Sequence, residues 1–201
     1  MDYQKHECDD SSDINRLAEA LKDKKILMIG PGASIKEYRD RINKYIEDNA
    51  PLVISINYIP GDFHPDYMFI TNTTRFLQSA TRLHEKQNQN IKLIASSNLT
   101  QNERDFDYVI NYSSVIDESA EFPDNSMCML IRVLLKCGCG EAALAGFDGY
   151  TPYNVNYLDT DKAYSFLTGK AESLNAYAVR FFEDIKDSIK IRFITPSEYI
   201  K

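Results

Sequence analysis

A chain of 201 residues, 43% of them hydrophobic, is long enough for one domain with a substantial core. Its formal net charge of -7, with lysine and arginine dispersed among the acids, argues against a surface for nucleic acid or anionic membrane. Four cysteines without CxxC spacing, no signal peptide and no apolar run of transmembrane length predict a cytoplasmic protein with reduced thiols.

The beginning of the chain divides into two parts. Residues 1–12 are polar and without periodicity, which predicts a disordered tail or linker. A single domain is then expected over residues 13–201. At its start, Ile14, Leu17 and Leu21 recur at helical spacing and predict a short amphipathic helix.

Residues 24–34, Lys-Lys-Ile-Leu-Met-Ile-Gly-Pro-Gly-Ala-Ser, predict a buried strand, a glycine turn and the start of a helix at Ser34. Gly30 and Gly32 permit a tight turn and close approach of a ligand, and a helix start directs N–H groups towards an anion such as phosphate. Ile35 stands where a dinucleotide fingerprint has its third glycine, and no P-loop motif follows. A turn without a ligand is the alternative interpretation.

Six more apolar or β-branched runs predict strands along the chain, over residues 51–57, 65–72, 91–98, 108–112, 142–147 and 189–195. Helical periodicity lies between several of them, with Asn125 or Ser126 as the cap of one helix and a long last helix over 171–187. The tyrosine-rich stretch 151–170 predicts a binding loop or lid, or else an ordinary surface loop.

This alternation of strands and helices predicts an α/β protein, a three-layer Rossmann-like fold with a mostly parallel sheet. Ligands of such folds bind beyond the carboxyl ends of the strands. Small polar residues are expected at those ends: Gly30, Gly32, Ser34, Asn57, Thr71, Asn72, Ser96, Asn98, Asp148 and Thr195. Such residues suit a ribose, a base edge or a sugar, although each is also a common turn or capping residue.

Catalytic motifs are scarce in this sequence. HExxH, GxSxG and paired-carboxylate motifs are absent, and Asp148 is the one acid expected at the strand ends. No ligand cluster of metal-binding type occurs, so no metal is assigned. The residues therefore favour binding of a small polar molecule over a recognisable reaction.

The motifs resemble those of bacterial sialyltransferases that use CMP-activated sugars, and a related pattern occurs in archaeal pterin diphosphokinase-like proteins. The matching segments, in order, are Ile29-Gly-Pro-Gly-Ala-Ser34, Ile56-Asn-Tyr58, Thr71-Asn72, Ala95-Ser-Ser-Asn98, Asn125-Ser126, Leu144-Ala-Gly-Phe-Asp-Gly-Tyr150 and Phe193-Ile-Thr-Pro-Ser197. The resemblance implies a cytidine nucleotide or nucleotide sugar as ligand. It places Gly32 and Ser34 near the phosphate and Asn57 on the nucleotide, with Ser126 close by.

The same resemblance places Tyr153 and Tyr157 near the phosphate of the leaving group. The sialyltransferases use a histidine base just before the last helix, where residues 167–173 here contain no histidine. An active transferase would therefore depend on Asp148, Tyr157 or Lys170 to assist the leaving phosphate or the acceptor. A third possibility, diphosphokinase-type phosphoryl transfer, would need magnesium-binding carboxylates, of which Asp148 is the one candidate.

Over its full run the sequence resembles the domain downstream of an aldolase barrel in bacterial 4-hydroxy-2-oxovalerate aldolase or HMG-CoA-lyase-like proteins. This resemblance implies an accessory or interaction domain, whose lyase chemistry would belong to an upstream barrel of the same polypeptide. Two classes of function thus stay open: a nucleotide or nucleotide-sugar binding domain of glycosyltransferase-like ancestry, and a non-catalytic domain of an aldolase-like enzyme.

Overall fold

A computed structural model describes residues 7–99, 106–151 and 169–200. The strands of its sheet are β1 Ile26–Ile29, β2 Leu52–Ile56, β3 Tyr67–Ile70, β4 Lys92–Ser96, β5 Tyr108–Ile110, β6 Glu141–Ala145 and β7 Lys190–Phe193. They form a seven-stranded sheet in the order β5-β4-β3-β2-β1-β6-β7. The predicted α/β Rossmann-like fold is confirmed, as is a strand within each predicted apolar run.

The helices of the described residues are α1 Ser11–Leu21, α2 Ser34–Glu37, α3 Arg39–Asn49, α4 Thr73–Leu83, α5 Ser126–Lys136 and α6 Ala171–Ile185. One prediction needs correction: the helix expected from Ser34 onwards is interrupted. Tyr38, with φ -105° and ψ 24°, leaves the helical conformation and separates α2 from α3. None of the helices in the described part of the chain is long and apolar enough to cross a membrane.

The chain divides into two compact units, of which the first comprises Met1–Lys24 and Leu52–Cys139. Its strands pair in the order β5-β4-β3-β2, and each pairing within the unit is parallel. Because strands of a parallel sheet are covered on both faces, they carry nearly continuous apolar runs, as β3 does. Asn125 caps α5 by accepting bonds from the N–H groups of Met127 and Cys128.

The outer edge of β5 is covered by side chains of α1 rather than by another strand. The bonds run from Asn111 N to Asp10 Oδ2 at 3.0 Å, from Val109 N to Asp13 Oδ2 at 2.7 Å, and from Arg16 Nη2 to the Asp107 carbonyl at 2.6 Å. An uncovered edge strand would expose these groups to pairing with another chain. The packed part of the chain therefore reaches into residues 7–12, which the sequence predicted as tail.

The second unit comprises Lys25–Pro51 and Gly140–Lys201, with β6 paired in parallel between β1 and β7. All four residues of β1 are buried. On α6, the ring of Phe182 lies 5.4 Å from that of Phe193 in β7, measured between centroids, which joins the helix to this edge of the sheet. The unit thus has its own apolar core.

We expect Asp13→Ala to lower the free energy of unfolding by about 1–3 kcal/mol, because it leaves the Val109 N–H of β5 without its acceptor. Urea unfolding of the full chain measures this change. Glu19→Ala removes an exposed carboxylate from the same helix and serves as the matched control. Equal stability of the two variants would contradict a role for Asp13 in covering the strand edge.

Candidate functional site

The strand order of the sheet reverses between β1 and β6, which is where ligands bind in open α/β sheets. Here the turns that follow the two strands are bonded to each other. The N–H of Gly30 donates to the Ala145 carbonyl at 2.8 Å, and that of Gly32 donates to the Gly146 carbonyl at 2.9 Å. A Cβ atom at Gly30 would lie 2.6 Å from the Gly146 oxygen, so this approach requires glycine.

Asp148 closes the same junction through its carboxylate. Ser34 donates its backbone N–H to Oδ2 at 2.9 Å and its hydroxyl to Oδ1. Burial raises the pKa of Asp148, and the two bonds from Ser34 partly oppose that rise. The carboxylate thus occupies the donors that the sequence assigned to a phosphate.

A ligand phosphate at Gly32 or Ser34 would therefore have to displace either the Gly146 carbonyl or Asp148. The helix behind this turn, α2, has four residues, so few peptide dipoles are aligned to favour an anion. Phosphate contacts at Gly32 and Ser34 stay a prediction, and so does a catalytic role for Asp148. Both require the bonds of this junction to break first.

In the first unit, three polar side chains meet beyond the carboxyl ends of neighbouring strands. Asn57 follows β2, Thr71 follows β3, and Ser126 begins α5. The Asn57 amide nitrogen donates to Thr71 Oγ1 at 3.1 Å and to Ser126 Oγ at 3.0 Å, and the two hydroxyl oxygens are 2.7 Å apart. The side-chain oxygen of Asn57, Oδ1, accepts a bond from the backbone N–H of Thr71 at 2.9 Å. We call these three residues the polar triad.

Local backbone geometry positions the polar triad. Asn57 has a φ of +58°, a left-handed conformation that asparagine tolerates better than most residues. Its N–H donates to the Phe69 carbonyl at 2.8 Å, which continues the pairing of β2 and β3 for one residue. The amide side chain is therefore held between the two strand ends.

The bonding capacity of the polar triad is not exhausted by its internal bonds. Asn57 uses both amide hydrogens, and one of the two hydroxyl hydrogens lies between Thr71 and Ser126. Within the described part of the chain, this leaves one hydroxyl hydrogen, one hydroxyl lone pair and one lone pair of Asn57 Oδ1. All three residues are half-buried, so the polar triad is partly accessible to solvent.

Other predicted site residues serve the local backbone. Asn72 caps α4, since its side-chain oxygen accepts the N–H of Arg75 at 3.0 Å. Ser96 is fully buried and donates to the side-chain oxygen of Asn98 at 2.6 Å, which orients this half-buried amide. Asn72 and Asn98 are both half-buried, whereas Ser96 is inaccessible.

The remaining candidates lie in the second unit or outside the described residues. Thr195 is buried and accepts the N–H of Gly146, so it supports the junction at the glycines. Lys170 is exposed at the start of α6. Tyr153 and Tyr157 fall outside the described residues. Among the residues that are described, no group of three or more His, Cys, Asp or Glu could hold a metal ion.

Sequence reasoning identified the members of the polar triad by different signals. Asn57 and Thr71 were expected because each ends an apolar run, whereas Ser126 was placed near the ligand by the family resemblance. The sequence placed Thr71 among the polar strand-end residues but gave it no specific ligand contact. Like Asn57, Thr71 is a polar residue directly after an apolar run, and neighbouring parallel strands end on the same side of a sheet.

No protein-family model matches this chain, and no curated protein matches it. One similar solved structure is that of the sialyltransferase CstII from Campylobacter jejuni, in complex with a substrate analogue, cytidine-5'-monophosphate. The TM-score is 0.53 at 17% sequence identity, over 87% of this chain and 81% of that one. The similarity confirms the resemblance to sialyltransferases at the level of the fold, whereas nothing found supports the aldolase resemblance.

The pKa of Asp148 gives a pH dependence of stability with a defined sign. Because the folded-state value lies above the ordinary value of 3.8, this group contributes stability that is full below 3.8 and lost as the pH rises through the folded value. We therefore expect the free energy of unfolding of wild type to fall relative to that of Asp148→Asn as the pH rises from 3.8 through the folded-state pKa. Urea unfolding at successive pH values measures this difference. Asp40→Asn, at an exposed position, is the control. A difference that grows in favour of wild type with rising pH would contradict this expectation.

Proposed function

We propose that the protein binds a nucleotide or nucleotide sugar, with the polar triad as its contact to the ribose or the base. The observation that carries this proposal is the network of Asn57, Thr71 and Ser126, which is half-buried and leaves a hydroxyl donor and acceptor lone pairs unused among the described residues. Ribose hydroxyls and base edges offer complementary donors and acceptors. A network fixed by its own bonds loses little side-chain entropy when such a ligand binds.

The choice of a cytidine nucleotide is supported by the similarity of the fold to a sialyltransferase solved with cytidine-5'-monophosphate. The fold by itself does not define the ligand, since one α/β architecture carries many functions. The position of the polar triad is the independent support, because it lies beyond the carboxyl ends of parallel strands, where ligands of these folds bind.

Sugar transfer is the finer form of this proposal. It requires a group that assists the departing phosphate or deprotonates the acceptor. Lys170, exposed at the start of α6, can neutralise a phosphate. Tyr157 is, with Tyr153, one of the two tyrosines that the resemblance assigns to that phosphate. Asp148 becomes available as a base when its bonds to Ser34 break. The protein is thus proposed as a binding domain of glycosyltransferase-like ancestry, with these residues as candidates for turnover.

The accessory role beside an aldolase barrel stays a prediction from the sequence resemblance, since neither the fold nor the similar structure bears on it. It is tested by whether the gene encodes a barrel upstream of Met1 in the same reading frame. A nucleotide-binding domain is compatible with such an arrangement, so the ligand experiment below decides between a binding domain and a purely structural one.

We expect cytidine-5'-monophosphate, in a thermal-shift panel with UMP, AMP, GMP, CMP-sialic acid and NAD, to stabilise the protein. A ligand at about a hundred times its dissociation constant adds about 2.7 kcal/mol, which raises the melting temperature of a chain of this size by about 5–10 °C. Ser126→Ala and Thr71→Val should each weaken binding about tenfold in isothermal titration, because each removes a hydroxyl from the polar triad.

Thr74→Val is the matched control, since it makes the same change at an exposed position in the first turn of α4. Circular dichroism establishes that each variant is folded before its affinity is compared. The proposal fails if no nucleotide of the panel stabilises the wild type. Its site assignment fails if Ser126→Ala and Thr71→Val bind as tightly as the control.

A further inference from the structure

A hollow of about 150 Å³ lies at the amino-terminal ends of β1, β6 and β7, within the second unit. We call it the basic hollow, and its lining consists of Lys25, Ile26, Tyr45, Asn49, Glu141, Ala142, Ala143, Lys190 and Arg192. Ligands of open α/β sheets bind at the carboxyl ends of the strands. The basic hollow lies at the amino-terminal ends, so a ligand there would occupy a separate site.

Strand register and side-chain size create this space. Glu141 is paired with Lys190, and Ala143 with Arg192, so the two basic side chains of β7 lie on the same face as their partners in β6. On this face Ala143 carries a single methyl group and leaves the floor unfilled, because the side chain of Ala142 lies on the opposite face of the strand. The long side chains around Ala143 therefore form a rim about a small apolar base.

The rim concentrates positive charge in a chain whose formal net charge is -7. Three cations, Lys25, Lys190 and Arg192, share the hollow with the single carboxylate of Glu141. Among the described residues, neither Lys190 nor Arg192 forms an ion pair with any carboxylate. This excess of uncompensated charge makes the hollow attractive to an anion.

Neighbouring groups of α3 hold two of the cations in place. The ammonium of Lys25 donates to the side-chain oxygen of Asn49 at 2.8 Å. The guanidinium carbon of Arg192 lies 5.6 Å from the ring centroid of Tyr45, within the range of a cation–π contact. These contacts restrict the two exposed side chains before a ligand arrives, which lowers the entropy lost on binding.

We propose that the basic hollow is a second ligand site, which binds a small molecule through a phosphate group. A guanidinium presents paired N–H donors that match phosphate oxygens, and the two ammonium groups add compact positive charge. Glu141 opposes the anion and limits its affinity. The site differs from the polar triad in its residues and in its chemistry, which is recognition of charge rather than of neutral donors and acceptors.

The test is titration of the full chain with inorganic phosphate at constant ionic strength, with chloride as the balancing anion, by calorimetry and amide chemical-shift mapping. We expect saturable binding, with shifts in β7 and in the last turn of α3. Arg192→Ala should lower the phosphate affinity about tenfold, because it removes the guanidinium whose paired N–H groups donate to the phosphate oxygens. Glu141→Gln should raise it a few-fold, because it removes the like charge.

Arg41→Ala removes one positive charge from an exposed position of α3 and is the matched control, expected to leave the phosphate affinity unchanged. The proposal is overturned if phosphate acts no differently from chloride, or if Arg41→Ala weakens binding as much as Arg192→Ala. A further comparison distinguishes this site from the proposed nucleotide site. Ser126→Ala should leave phosphate binding intact, and Arg192→Ala should leave cytidine-5'-monophosphate binding intact.

Discussion

The contact on which the second unit depends is the close approach of two backbones where β1 and β6 end. Gly30 and Gly32 donate N–H groups to carbonyls of the β6 turn, and a side chain at either position would collide with that turn. Asp148, held by the N–H and hydroxyl of Ser34, completes the junction. A glycine turn of this kind is usually explained by a phosphate. Here protein carbonyls and a carboxylate occupy the same donors, so the glycines are needed for packing whether or not a ligand binds.

Because the donors of the glycine turn are already bonded within the protein, the polar triad is the better candidate for a ligand contact. Asn57, Thr71 and Ser126 bond to each other, yet among the described residues one hydroxyl hydrogen, one hydroxyl lone pair and one lone pair of Asn57 Oδ1 remain unused. A network of this kind costs little to keep half-buried, because most of its polar atoms are already paired. It is also rigid, which favours recognition of a ligand with fixed geometry. The proposed nucleotide contact depends on these remaining donor and acceptor positions.

Charged side chains have different roles at the edge strand β5 and in the basic hollow. Along β5, Asp10, Asp13 and Arg16 of the α1 region bond to backbone groups, so their charges serve to close a strand edge. In the basic hollow, the cations of β7 have no carboxylate partner among the described residues, and their charge remains available. Charged side chains thus support the fold in one unit and line the proposed phosphate site in the other.

The sequence by itself determined the order of the elements and the fold class. Most strands lie in apolar runs bounded by turn residues, β7 alternates basic with apolar residues, and Asn125 is a cap with a recognisable signature. These features depend on neighbours along the chain. Tertiary structure decided the rest. Ser34 meets Asp148 across 114 positions, and Arg192 lies beside Ala143 through strand register, which local patterns do not encode. Site chemistry depends on such distant contacts, so it became visible in the folded chain.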